Sequence, residues 1–487
     1  MTCRARRKKC NEQRPRCEKC VKSNRACLWP DEDDLFDRRH RRVSKSPRLS
    51  PKSPELTKTG RKPSVTAQSA TNRRGQSLLV CREICFKTDL FNSAMFKSDL
   101  EVDCMRHFFD GFLPLLILSN AHPGFYSAYV PEVVDMLLQF DGLKDVALAC
   151  GASHLHLATG SPQMNESGLV YYSRAVSKVN QALNKIDWSR DDYNVAVLLA
   201  ITFLYIHGAF ALHTNGDIPK HVMGAVQLIN LQYAQSRKPP LARPIHRIIW
   251  ESILYQMFRQ TVRRPFSVGF QPDFDFVARA EGVLQSLTFP DASPADNSPV
   301  IGIPLDLQKL IIEVVQLCKS PFVPRPEVLR DLEIRMKHWE GTILEDGHCI
   351  KQERHTSLMS TPSDRAGVFY QHSTSLHILA ASLLLDWVSR CHEVPCGAEP
   401  HLPTPCNSWQ VRKALHIMRC PQANEDWLRC YLGSWPSLIF GYAVDKPEEV
   451  ALIRSDLQQR FQKLYSSEEL LFLAELESVW HARGIGH

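Results

Sequence analysis

The chain has 487 residues, 44% of them hydrophobic and 23% charged, enough for a large core and more than one domain. Its net charge of +7 hides an asymmetry: residues 1–80 carry 22 Lys and Arg against 8 Asp and Glu, whereas the remainder carries 37 against 44. A basic head on an acidic body excludes polyanion binding along the whole length and leaves that role to the head.

Five cysteines stand in the first 27 residues: Cys3, Cys10, Cys17, Cys20 and Cys27. Six residues separate Cys3 from Cys10, Cys10 from Cys17 and Cys20 from Cys27, and two separate Cys17 from Cys20. So short a segment cannot bury enough apolar surface to fold alone. Soft thiolates at these spacings can hold zinc tetrahedrally, and metal binding then supplies folding free energy. Between Cys3 and Cys10 runs a phosphate-binding charge, Arg4, Arg6, Arg7, Lys8 and Lys9. A disulfide framework is the weaker expectation, because no leader precedes the thiols and a basic run this dense suits an intracellular protein.

The segment resembles the fungal binuclear zinc-cluster DNA-binding domain, in which six cysteines hold two zinc ions. That family reads C-x2-C-x6-C, a loop, then C-x2-C-x6-C, with a basic helix after the second cysteine. Cys3, Cys10, Cys17, Cys20 and Cys27 match the second to sixth ligands, and Pro15 matches the loop proline. The first cysteine would fall three residues before Cys3, ahead of Met1, so in the chain as written each zinc is expected to lack one ligand. The expectations are then a start further upstream, or a helical interaction protein whose broken cluster no longer binds DNA. By the resemblance, Arg6 and Arg7 occupy the positions that read base edges of CGG triplets, where the arginine fork can donate twice to guanine. Arg4, Lys8, Lys9, Arg14, Arg16, Lys19, Lys22 and Arg25 would serve mainly phosphates of double-stranded DNA. The implied function is zinc-dependent regulation of RNA polymerase II transcription in the nucleus, with transcription machinery or coactivators as partners.

Residues 28–80 read as a disordered linker with few apolar residues and no periodicity. The domains are expected at 1–30, 31–85 and 86–487. The linker holds the basic cluster Arg38–Arg42, a nuclear-import candidate, and the pairs Ser46-Pro47, Ser50-Pro51 and Ser53-Pro54, candidates for a proline-directed kinase. No sustained heptad follows the cysteines, so the large domain is the expected place for any dimerisation.

From about residue 86 the pattern is helical and the fold class is all-α. Ser98-Asp99-Leu100-Glu101 predicts a capping box ahead of apolar Met105, Phe108, Phe109 and Phe112, and Pro131 suits the first turn of the next helix. Further helices are expected over 143–158, 167–186, 191–212, 218–235, 244–262, 305–319, 327–343, 366–392, 409–419, 424–442, 447–464 and 467–482. A second box, Ser466-Ser467-Glu468-Glu469, opens the last of these. The run Val195–Leu212 reaches the lower length limit of a membrane span but contains Thr202, His207 and Gly208, so a buried helix is expected, with no membrane partner. The eleven cysteines from Cys81 to Cys430 are expected as reduced thiols.

Two stretches are similar to the fungal-specific transcription factor domain: Tyr171-Tyr172-Ser173-Arg174-Ala175-Val176 with Gln181-Ala182-Leu183, and His221-Val222-Met223-Gly224-Ala225-Val226-Gln227-Leu228-Ile229. That resemblance implies an α-helical regulatory domain and allows a small hydrophobic or metabolic effector. Gly224 and Ala225 are expected to let another helix approach, with Val222, Val226 and Ile229 as the apolar face. No nucleophile elbow, zinc-protease motif, P-loop or dinucleotide fingerprint occurs, so no enzyme is expected. His154 and His156 are expected on different helix faces, and Asp191-Asp192 at a helix start.

Overall fold

The computed structural model describes Cys20, Lys22 and residues 96–185, 191–235, 241–267, 269–320, 322–345, 362–391, 408–419 and 427–485. The linker, its Ser-Pro pairs and Arg38–Arg42 lie outside these residues. The chain forms two compact units, residues 1–68 and 69–487.

Within the second unit the described residues form helices and no strand. In chain order these are α1 Asp99–His107, α2 Pro123–Gln139, α3 Asp141–Thr159, α4 Pro162–Leu183, α5 Asp191–Phe210, α6 Ile218–Gln235, α7 Pro244–Val262 and α8 Phe274–Leu284. Then come α9 Leu305–Lys319, α10 Pro326–Glu345, α11 Pro362–Cys391, α12 Trp409–Met418, α13 Ser434–Ala443, α14 Pro447–Leu464 and α15 Ser467–Ala482.

The starts follow local chemistry. Ser98 accepts from the Glu101 N–H at 3.3 Å, while the Glu101 carboxylate accepts from the Lys97 N–H at 2.9 Å. Proline fills the first turn of α2, α4, α7 and α14, where a missing N–H costs no intrahelical bond. Ser466 caps α15 by accepting from Glu468 N–H at 3.2 Å. Met105, Phe108, Phe109 and Phe112 are all buried, as the periodicity required, although α1 passes into a π-helical turn at Phe108–Phe112.

Two expectations are corrected. Pro131 does not open a helix but sits inside α2, which begins at Pro123. The eight buried apolar side chains of α2 outweigh the roughly 3 kcal/mol that an interior proline costs. The helix expected over 424–442 is broken at Cys430: Arg460 of α14, fully buried, donates to the carbonyls of Trp427 and Cys430 at 2.8 and 3.0 Å. Those acceptors are thereby tied to another element, and a 3-10 turn, Tyr431–Gly433, leads into α13.

The core is built around α5 and α7. Helix α5 packs on α3, α4, α6 and α7; α7 also meets α2, α8 and α9; and α15 returns to α5 after packing on α13 and α14. The segment Asp192–Phe210 is long and apolar enough to cross a membrane, with mean hydropathy 1.6, but 94% of it is buried inside the fold. Cys104, Cys150 and Cys430 are buried outside any disulfide.

Candidate functional site

Most predicted metal and DNA contacts lie outside the described residues: Cys3, Cys10, Cys17 and Cys27, with Arg4, Arg6, Arg7, Lys8, Lys9, Arg14, Arg16 and Lys19. Cys20 and Lys22 are described, both with helical backbone; the thiol is fully buried and the lysine exposed. Two positions apart on a helix point to different sides, so one faces inward while the other meets solvent. Among the described residues no group of three His, Cys, Asp or Glu is placed to hold a metal.

The helical unit holds a cavity that sequence reading missed. Its volume is about 60 Å³. Helix α5 presents Thr202, Ile206, Ala209 and Phe210, and α7 presents Ile248, Ser252, Tyr255, Gln256 and Arg259. Both sets follow the i, i+4, i+7, i+8 pattern, so each is one stripe of one helix. Leu115, Leu116, Tyr129, Val300, Tyr431, Leu464, Ser466 and Glu468 complete the wall. The turn between α14 and α15 is held at Tyr465, the one described non-glycine residue in the left-handed region, φ 45°.

Two charged side chains line the cavity, Arg259 and Glu468, and they pair across it. Arg259 Nε donates to both Glu468 carboxylate oxygens at 2.8 and 2.9 Å, and its Nη1 donates to Gln256 Oε1 at 3.1 Å. Burial works against the guanidinium charge, but Glu468 together with Tyr255 and Glu469 outweighs it and raises the arginine pKa. Beside it, burial and then Glu468 push the Glu469 carboxyl up, and it accepts from Ser434 Oγ at 2.6 Å. The acidic pair read as part of a cap therefore also reaches across the fold. The polar residues Ser252, Gln256 and Arg259, recurring at steps of three and four along α7, were the available signal.

The histidines divide as expected from their spacing. His154 bonds to His107 at 2.7 Å and to the Leu464 carbonyl at 2.9 Å, while His156 bonds to the Ser161 carbonyl. His221 meets Tyr172 OH at 2.7 Å, so the two stretches similar to the fungal domain touch each other. Val222, Val226 and Ile229 are buried, but a Cβ at Gly224 would meet open space. The close helix approach is instead at Gly151 of α3, where a Cβ would run into the Cys104 carbonyl of α1. Ser153 Oγ lies 2.8 Å from His207 Nε2, a nucleophile-and-base distance, yet both are buried, at 3% and 0% exposure, and neither lines the cavity.

The family model "Fungal specific transcription factor domain" matches residues 103–485. The chain belongs to the fungal transcription factor family. In this transcription factor a second model, "Fungal Zn(2)-Cys(6) binuclear cluster domain", matches residues 1–34, which implies zinc and DNA binding. No curated protein and no solved structure matches the chain. The donor chemistry suits zinc: five thiols stand between residues 3 and 27, one fewer than the six of a complete cluster, and the one described, Cys20, is buried.

Proposed function

We propose that this fungal transcription factor is a nuclear, sequence-specific regulator of RNA polymerase II transcription that reads CGG-type sites through the basic helix after Cys3. The observation that carries the reading is the zinc-cluster match over residues 1–34, with Arg4, Arg6, Arg7, Lys8 and Lys9 following its first thiol. Residues 1–30 form the head, 31–85 the linker and 86–487 the regulatory half, which contacts coactivators or the transcription machinery.

Cys3, Cys10, Cys17, Cys20 and Cys27 would hold zinc, two ions in a complete cluster. Bound zinc supplies the head's folding free energy. Arg6 and Arg7 then donate to guanine O6 and N7, which discriminates sequence. Arg4, Lys8, Lys9, Arg14, Arg16, Lys19 and Lys22 neutralise phosphates, which sets affinity and its salt dependence without reading bases.

The test is binding of the full chain to a CGG duplex and a scrambled one. Arg7→Gln should cost about 1–3 kcal/mol on the CGG duplex and little on the scrambled one. Lys22→Ala should weaken both alike and flatten the slope of log K against log salt by about 0.9. If both variants act alike, the base-reading assignment fails.

A further inference from the structure

We propose that Ser293 is a phosphorylation site for a proline-directed kinase, and that its phosphate releases the tip of the loop between α8 and α9 from the start of α2. The site lies in the helical unit and does not depend on how the head reads DNA.

The loop covers residues 285–304 without a helix or strand. Irregular loops longer than about 12–15 residues are uncommon in compact domains, and many that occur are functional. Both ends of this one are fastened to α7 by a buried ion pair, Arg247 with Glu251. Arg247 donates to the carbonyls of Leu284 and Ser286 at 3.2 and 2.6 Å. Glu251 accepts from the Val300 and Ile301 N–H groups at 2.9 and 3.2 Å. The tip rests on the start of α2: the Asp296 carbonyl accepts from the His122 N–H at 2.8 Å, and the Ala295 carbonyl from Asn120 Nδ2 at 3.4 Å.

Ser293 stands at that tip, exposed and followed by exposed Pro294. A residue before proline is biased towards extended backbone, which lets a kinase cleft bring the hydroxyl in line with the γ-phosphate of ATP. Ser293 Oγ donates to Asp296 Oδ2 at 2.9 Å and accepts from the Asp296 N–H at 3.1 Å; both bonds are exposed, so water replaces them as a cleft closes. Three other Ser-Pro pairs have a described serine, and each is less available. Ser298, in the same loop, donates to Glu251 at 3.1 Å and accepts from the Gly302 N–H at 3.0 Å; freeing it would strip a donor from a carboxylate that is 1% exposed. Ser161 and Ser320 are half-buried and adjoin the ends of α4 and α9. Transfer forms the bond from Ser293 Oγ to the γ-phosphorus of ATP, breaks the bond to ADP and passes the hydroxyl proton to the kinase's base. The ester oxygen has no proton to donate, and a phosphate of charge about −1.5 to −2 then stands against the Asp296 carboxylate. Repulsion moves Asp296, whose carbonyl holds His122.

The experiment treats the full chain with a purified mitogen-activated protein kinase and ATP. One tryptic peptide, residues 280–309, holds both Ser293 and Ser298, so fragmentation mass spectrometry reads the two occupancies side by side. Ser293 should fill about tenfold or more faster than Ser298, the worth of the buried hydrogen bond to Glu251, and faster than Ser161 or Ser320. Hydrogen exchange then reads the release. The His122 amide should exchange about tenfold or more faster in the phosphorylated chain, whereas the Val300 and Ile301 amides, held by Glu251, should not change. Kinase-treated Ser293→Ala is the control, because any phosphate on the linker pairs at Ser46, Ser50 and Ser53 stays in place there; its His122 amide should exchange as in the untreated chain. The proposal is overturned if an active kinase leaves Ser293 unmodified, if Ser298 fills as fast, or if His122 exchanges equally with and without phosphate at Ser293.

Discussion

At the scale of single residues, the buried histidines set a pH response. The Leu464 carbonyl can only accept, so His154 Nε2 carries the proton and His154 Nδ1 accepts from His107. Thr214 donates to the Ala211 carbonyl, so His207 Nδ1–H donates to Thr214 and His207 Nε2 accepts from Ser153. Both rings are therefore held neutral, with a fixed tautomer. Burial, then the neighbouring histidine, lowers His154 to about 4 and His207 to about 3, and burial lowers His377 to about 4. Their unfolded value is 6.5, so below it the unfolded chain binds more protons than the folded one. The stabilisation is complete above pH 6.5 and is lost as pH falls towards 4 and 3. At pH 5 the loss is on the order of 2 kcal/mol per histidine. The urea midpoint of the helical unit, followed by circular dichroism, should fall clearly between pH 7.5 and pH 5, and an unchanged midpoint would refute the neutral-histidine account.

Elements show where a local pattern was enough and where it was not. The bounds of α6, α7, α9, α14 and α15 coincide with the sequence expectation. The marks at their ends are local: Pro244, Pro447, Pro304 before α9 and the Ser466 cap. Helix α8 was equally marked, since Asp273 caps it by accepting from Phe276 N–H at 3.0 Å and Phe276, Val277, Ala280 and Leu284 form its buried stripe. It was overlooked although the signal was present. The break at Cys430 was not legible, because its cause, Arg460, comes from 30 residues further along the chain. Close approach was legible in kind but misplaced. Gly151→Ala should destabilise the helical unit by about 1–3 kcal/mol, since the obstacle is α1 backbone that cannot rotate aside. Gly224→Ala, in open space, should instead stabilise by about 0.5–1 kcal/mol. Denaturation midpoints of the two variants decide the matter, and a harmless alanine at 151 would show that the α1–α3 contact is looser than the geometry requires.

For the whole molecule, the cysteine spacing and the charge asymmetry carried most of the functional reading, because metal ligation and phosphate attraction depend on residue type and short spacing. The cavity was hidden because it forms only when α5, α7 and the α14–α15 turn converge from positions 202 to 468. The measurement that bears most directly on the account is zinc per chain in the purified full-length protein, taken with binding to a CGG duplex before and after chelation. The account predicts bound zinc and a preference for the CGG duplex that chelation abolishes and added zinc restores. A chain without zinc, or one that binds CGG and scrambled duplexes equally whether or not a chelator is present, would contradict it.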